Sequence, residues 1–296
     1  MCRSCLYLFG PGMHLLRRAL HSASTVNPAE IAHFSRLSSQ WWDEKGEFSF
    51  LHQMNPVRMR FIREKLLETA RDEQPSLSDS VGSTVLKGLD VLDVGCGGGL
   101  LSESLARLSA NTLGVDASEA NISIAQLHAD KDPALSGPAS QLSYRHTPAE
   151  ALLEDSKRYD VVCSMEVLEH VDNPSAFLNT CAQLVKPGGH LFLSTISRTA
   201  LAYFLTIFMA EDVLRQVSRG THTHSKFIRP DELTNFFRSY PNAAAPWIRH
   251  GTRTETEVRG LVYNPLSSSW ILASRDAWGA TACNYLFWVR KPREAQ

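Results

Sequence analysis

The stretch "VLDVGCGGG" (residues 91–99) decides the fold. Its first half is a short apolar, β-branched run ending in an acid, the composition of a buried strand. In its second half Gly95, Gly97 and Gly99 let the backbone turn tightly and approach a ligand more closely than residues with a Cβ could. Outward from this turn the rhythm repeats. A helix runs from Leu100 to about Leu108, followed by "NTLGVDA", a helix from Ser118, "LSYRH", "YDVVCSM", a helix around 174–184 and "HLFLSTI". Strands alternating with helices specify an α/β domain with a parallel sheet and helices on both faces. "TEVRGLVYNPL" and "CNYLFWVR" have no clear helix between them, so they predict an antiparallel pair finishing the sheet.

A glycine-rich βα turn invites a dinucleotide, but G-x-G-x-x-G fails in both frames: the third glycine would fall on Leu100 or on Ser102. That disfavours an NAD-dependent oxidoreductase. Asp93-x-Gly95-x-Gly97-x-Gly99 instead resembles the first motif of the S-adenosylmethionine-dependent methyltransferases of Rossmann-like fold, which implies a seven-stranded, mostly parallel sheet with an antiparallel final strand. The ligand suits the loop. It has no phosphate to cradle, and its methionyl ammonium and carboxylate want a nearby acid and free backbone N–H groups. Asp116, 23 residues after Asp93, ends the second strand, where a carboxylate can take both ribose hydroxyls. Ser118 is placed to cap the next helix. In "HTPAE" (146–150) Thr147-Pro148 stands where an acid is common beside the adenine, so a backbone contact is expected there.

Several segments look like the ubiquinone-biosynthesis O-methyltransferase family, over about residues 30–290. They are "QWWDEKGEFSFLHQMNPVRMRFI" (40–62), "LDVGCGGGLLSESLARL" (92–108), "EVLEHV" (166–171), "QLVKPGGHLFLSTISRT" (183–199), "GTHTHSKFIRPDEL" (220–233) and "VRGLVYNPL" (258–266). The Trp-Trp-Asp and Gly-Thr-His segments are the specific ones; the glycine motif alone is shared widely. The resemblance implies methylation of a catechol-type hydroxyl on polyprenylated ubiquinone precursors, at both O-methylation steps of the pathway. It implies S-adenosylmethionine as donor, with Arg58, Gly95, Asp116 and Met165 as its contacts. It also implies a peripheral position on the matrix side of the mitochondrial inner membrane, within a multi-subunit ubiquinone-synthesis complex.

"MEVLEHV" (165–171) follows the fourth strand, at the sheet end where ligands bind. Glu166, Glu169 and His170 are spaced i, i+3, i+4 and would share one face of a helical turn. The family resemblance implies Mg²⁺ held by these three residues. The imidazole would also suit Zn²⁺, Mn²⁺ or Co²⁺. The same residue types close strand–helix junctions in methyltransferases that use no metal, so that reading stays open. His222 and His224 belong to a basic loop expected over the mouth of the site.

Length and composition agree. At 296 residues, 43% hydrophobic and 21% charged, with a net charge of −1, the chain can bury a sizeable core and carries no nucleic-acid charge footprint. Its six cysteines are scattered, which fits a reducing compartment, and Cys2-x-x-Cys5 lacks a second ligand pair. Residues 1–27 carry Arg3, Arg17 and Arg18 and no acid, like a mitochondrial transit peptide. Residues 28–296 then form the methyltransferase domain, with N-terminal helices over 28–72, the second beginning at Pro56, and a helical insertion over 199–238. No apolar run reaches membrane-spanning length. "ALAYFLTIFMA" (200–210) would suit a bilayer surface or an isoprenoid-tail tunnel as readily as a core. Two rivals remain: a C-methyltransferase of quinone biosynthesis, and a cofactor-binding scaffold without turnover.

Overall fold

The computed structural model describes residues 24–76, 84–240 and 246–293. The expected presequence, apart from residues 24–27, and the Cys2-x-x-Cys5 pair lie outside the described residues. Two helices precede the sheet. Helix α1 (Pro28–Leu37) starts as the Asn-Pro signal predicts, with the Asn27 side chain accepting from the backbone N–H groups of Ala29 and Glu30. Helix α2 (Ser49–Glu73) begins seven residues before the expected start at Pro56, which instead lies inside it. In the third turn Pro56 removes a backbone hydrogen bond and crowds the His52 carbonyl, a cost offset by the apolar face that α2 buries through Met54, Met59, Phe61 and Ile62.

Strands β1 (Asp90–Val94), β2 (Asn111–Asp116), β3 (Leu142–His146), β4 (Tyr159–Met165) and β5 (Val185–Ile196) pair in parallel. They are connected through helices α3 (Leu100–Arg107), α4 (Glu119–Ala129) and α5 (Pro174–Leu184). Strands β6 (Thr256–Asn264) and β8 (Asn284–Arg290) form the expected antiparallel pair, and β8 joins β5. The described sheet has eight strands in the order β3-β2-β1-β4-β5-β8-β6-β7. The strand beyond the expected seven is β7 (Ser269–Leu272), a four-residue edge strand on β6. So short a run after "NPLSSS" carries no periodicity to detect.

Alternate residues of the central strands feed two apolar layers. Val91, Val161 and Phe192 pack on one face with Ile62 of α2; Leu92, Val162 and Leu191 pack on the other with Phe177 of α5. Helix α2 is also tied to the antiparallel edge by a buried charge. Lys65 Nζ, with no exposure, sits 2.9 Å from Glu257 Oε2 and 2.8 Å from the Arg253 carbonyl.

Between β5 and β6 the chain makes the expected helical insertion. Its first part, Tyr203–Val213, is a π-helix, closed by a bond from Leu214 N–H to the Met209 carbonyl. π-Helical turns are rare and are frequent at functional sites. Helix α6 (Pro230–Arg238) follows.

Candidate active site

A cavity of about 690 Å³ opens at the carboxyl ends of β1, β2 and β4. That is where the strand order reverses and where open α/β sheets bind ligands. Its floor includes Gly95, Asp116 and Met165; its roof is α1, and its outer wall comes from the insertion and from Tyr263 and Trp270 of the β6–β7 hairpin. Of the residues picked out from sequence, Gly95, Asp116, Met165, Glu166 and His170 line this space. Arg58 and Glu169 do not reach its wall.

The glycine turn is shaped by its neighbours as much as by a ligand. Gly97 has φ 54°, and a Cβ there would lie 2.2 Å from Cζ2 of Trp41. Trp41 lies against the loop, stacks on Phe48 at 3.8 Å and donates from Nε1 to Asn121 Oδ1. Trp42 donates to the Gly98 carbonyl. The Trp-Trp segment is therefore the clamp on the glycine loop.

Asp116 is held rigidly. Its Oδ2 accepts from Gly97 N–H at 2.9 Å, and its Oδ1 accepts from Ser118 N–H at 2.7 Å and from Asn121 Nδ2. Ser118 caps α4 as expected. Three of roughly four lone-pair positions are thus engaged, so the carboxylate is oriented before any ligand arrives. Burial raises its pKa, and that of Asp93 to about 6. Beside them the Thr147 N–H is used by the Asp116 carbonyl and Pro148 has none, so a backbone donor to an adenine must come from beyond Pro148.

The "MEVLEHV" segment differs from its reading as one helical face. Strand β4 continues to Met165, Glu166 then takes a left-handed φ of 55°, and only residues 168–170 turn. The i, i+3, i+4 geometry needs a continuous helix and is lost. Glu166 Oε1 faces Arg58 Nη2 at 3.3 Å, both side chains nearly buried, while Glu169 accepts from Thr195 Oγ1. Glu166 Oε1 and Glu169 Oε1 are nonetheless buried without a hydrogen-bond partner. Burial, reinforced by the Glu166 charge, pushes the Glu169 pKa above the ordinary carboxylate range. His170, its pKa lowered by burial, hydrogen-bonds through Nδ1 to Glu30 Oε2. Among the described residues no three His, Cys, Asp or Glu side chains are gathered tightly enough to share an ion.

Several residues of this site have no sequence signal. Thr25 is buried and gives both its N–H and its hydroxyl to Glu150, while its carbonyl accepts from Asp172 N–H. Asn27 donates to Asp172 and Glu30 bridges His170 and Lys226, so the N-terminal strap and α1 are fastened over the cavity. His222 lines the cavity with Nδ1 on the buried Glu211 carboxylate. His224 does not, its Nε2 being taken by the Thr199 carbonyl.

Comparison with known proteins agrees with this geometry. Residues 50–240 match a methyltransferase domain family. Over 258 residues the chain is 43% identical to the ubiquinone biosynthesis O-methyltransferase of Cereibacter sphaeroides, covering 87% of this chain and 95% of the relative. It is 41% identical over 269 residues to the protein of the same name from Sinorhizobium fredii, covering 91% and 97%. Among solved structures, the plantazolicin methyltransferase BamL, in complex with SAH, superposes with a TM-score of 0.54 at 15% identity over 94% of this chain and 99% of that one, a likeness of fold alone. With a Rossmann-like sheet, a clamped glycine turn and relatives above 40% identity over nearly their whole length, this chain belongs to the ubiquinone biosynthesis O-methyltransferase family.

Proposed function

We propose that this protein transfers the methyl group of S-adenosylmethionine to one hydroxyl of a catechol-type ring on a polyprenylated ubiquinone precursor, both polyprenyl dihydroxybenzoate and demethylubiquinol. One observation carries the reading: a single cavity touches the glycine turn and Asp116 at one end and Leu201, Phe204, Leu205 and Met209 at the other. A charged, ribose-bearing donor fits the first end and an isoprenoid tail the second.

In this assignment the lone-pair position that Asp116 leaves open takes a ribose hydroxyl, and Gly95 and Met165 flank the donor. Arg58, which lies off the cavity wall beside Glu166 with Nε and Nη2 buried and without hydrogen-bond partners, would move past Glu166 to give charge-assisted hydrogen bonds to the methionyl carboxylate. The O–C bond forms as the S–C bond breaks, the sulfonium charge is quenched and the hydroxyl proton leaves. The roof made by α1 excludes water, so donor and acceptor meet in a fixed orientation. Phenolic hydroxyls ionise near pH 10, so the reaction needs help at neutral pH.

Glu166 Oε1 and Glu169 Oε1, buried without hydrogen-bond partners, and the His170 imidazole, bonded only through Nδ1, are donor types that suit a divalent cation, although in this structure they do not converge on one point and would have to close around it. Glu166, Glu169 and His170 would hold Mg²⁺, or Zn²⁺, Mn²⁺ or Co²⁺ in its place. When bound, the ion supplies Lewis acidity that lowers the pKa of a chelating catechol.

The remaining parts of the proposal concern location. Among the described residues no helix is long and apolar enough to cross a membrane. Tyr203, Phe204 and Phe208 are each almost half exposed on the insertion, and such a patch suits the surface of a bilayer holding the tailed substrate. With the basic, acid-free N-terminus as a transit peptide, cleaved ahead of Thr25 so that the strap stays in place, the site would face the mitochondrial matrix at the inner membrane, within a ubiquinone-synthesis complex. The test of the cation assignment is methyl transfer by EDTA-stripped protein before and after Mg²⁺ is returned. Loss and recovery support it; full activity without the ion removes it and leaves Glu166, Glu169 and His170 as metal-free residues of the site.

A further inference from the structure

Helix α1 does more than roof the cavity. Glu30, on its first turn, reaches 140 residues along the chain to place Oε2 at 3.1 Å from His170 Nδ1 and Oε1 at 3.0 Å from Lys226 Nζ. Held between an imidazole and the Lys226 ammonium, the carboxylate is the acceptor in both bonds. An ionised carboxylate can only accept a hydrogen bond, so the proton of the bond must sit on His170 Nδ1. The ring's free lone pair is then on Nε2. Among the described residues Nε2 accepts no hydrogen bond, and His170 lines the cavity. Phe34, also on α1, packs edge-on against the imidazole at 4.9 Å and fixes its plane. The other cavity histidine, His222, has its own carboxylate in Glu211 and does not compete for Glu30.

We infer that Glu30 is a positioning residue: delivered by α1, it fixes the His170 tautomer and aims Nε2 into the active-site cavity, so the site is complete only when the N-terminal helix is docked. Where His170 serves as a cation ligand, which rests on the proposed function above, Glu30 is its outer carboxylate. Such partners set the ring's orientation and basicity and are worth about 10–100-fold in metal affinity. Lys226, within the insertion, ties the same carboxylate to that segment, so the roof, His170 and the insertion share one group.

The test is nitrogen-15 histidine NMR on the EDTA-treated full chain, with the His170 signal identified by its loss in His170→Asn. Wild-type protein is expected to show the Nδ1–H tautomer, and Glu30→Ala to shift it toward Nε2–H, the form favoured by a ring without a partner. Glu30→Gln keeps an acceptor oxygen and is expected to fall between them, a graded rescue that a purely structural helix contact would not give. Ser35→Ala, which breaks another tie of the same helix to Ser118, should leave the tautomer unchanged. In a parallel Mn²⁺ titration, Glu30→Ala should bind about 10–100-fold more weakly than wild type, and Ser35→Ala as tightly as wild type. An Nε2–H tautomer in wild type, or a tautomer unmoved in Glu30→Ala, overturns the role of Glu30. Failure of the wild-type protein to bind Mn²⁺ contradicts the cation assignment alone, because the NMR result still decides for or against Glu30.

Discussion

At Gly97 the backbone and the neighbouring ring together forbid a side chain. A left-handed φ of 54° costs a residue with a Cβ about 1–2 kcal/mol, and that Cβ would overlap Trp41. Gly97→Ala is therefore expected to lower the thermal midpoint and abolish cofactor binding in calorimetry. Adding Trp41→Ala should recover part of the stability but not the binding, because the clash is relieved and the clamp is gone. Asp116→Asn leaves an acceptor for Gly97 N–H but puts an amide where ribose hydroxyls need a carboxylate. The expected result is S-adenosylmethionine binding weaker by roughly tenfold or more, the worth of a charge-assisted hydrogen bond, with stability lower by about 1–3 kcal/mol because the amide turns its N–H groups on the buried donors of Ser118 and Asn121. The glycines and Asp116 are legible in sequence because their spacing follows from the βα turn itself. Trp41 is legible only as a mark of resemblance, since its reason, contact with Gly97 and Gly98, is tertiary. Glu30 is not legible at all, because nothing local ties it to a histidine 140 residues away.

Between elements, the Lys65–Glu257 pair joins α2 to β6 and is the buried ionic contact with most at stake. Glu257→Gln leaves Lys65 with Glu68 as its one anionic partner, beside a carbonyl and the Trp288 ring, and should cost about 3 kcal/mol in urea denaturation at pH 7. Burial alone would raise the Glu257 pKa, but hydrogen bonds and charges from Lys65, Arg275 and Arg259 hold it below its ordinary 4.5. A depressed carboxylate pKa gives stability that is fully present above the unfolded value and fades as pH falls through the folded one. The difference between wild type and Glu257→Gln should accordingly shrink below about pH 4.5. On the insertion, Phe204→Ala with Leu205→Ala removes apolar wall from the tail end of the cavity. It should raise KM for long-tailed acceptors and leave it unchanged for short-tailed ones in steady-state assays. At this scale the strands and crossover helices follow from hydrophobic periodicity, whereas "MEVLEHV" misleads. Its spacing has meaning only on a helix, and the strand's last residue with the left-handed Glu166 breaks the register.

Across the whole molecule, βα alternation dictates a parallel sheet, and a parallel sheet with the order seen here dictates a crevice beside β1 and β4. That much is present in the chain's rhythm. The roof is not, because α1 and α2 carry ordinary helical patterns whose destination is set by packing, and the edge strand β7 is too short to announce itself. The closed site emerges when N-terminal strap, sheet end, insertion and hairpin meet, four segments spread from residue 25 to residue 284 around one cavity. The most direct test of this account is transfer of a carbon-13 methyl group from S-adenosylmethionine to a tailed dihydroxybenzoate in the presence of Mg²⁺, with the product's labelled carbon located by NMR. A label on ring oxygen, lost with Asp116→Asn, is the result the account predicts. A label on ring carbon, or no transfer by a protein that binds the donor, would contradict it.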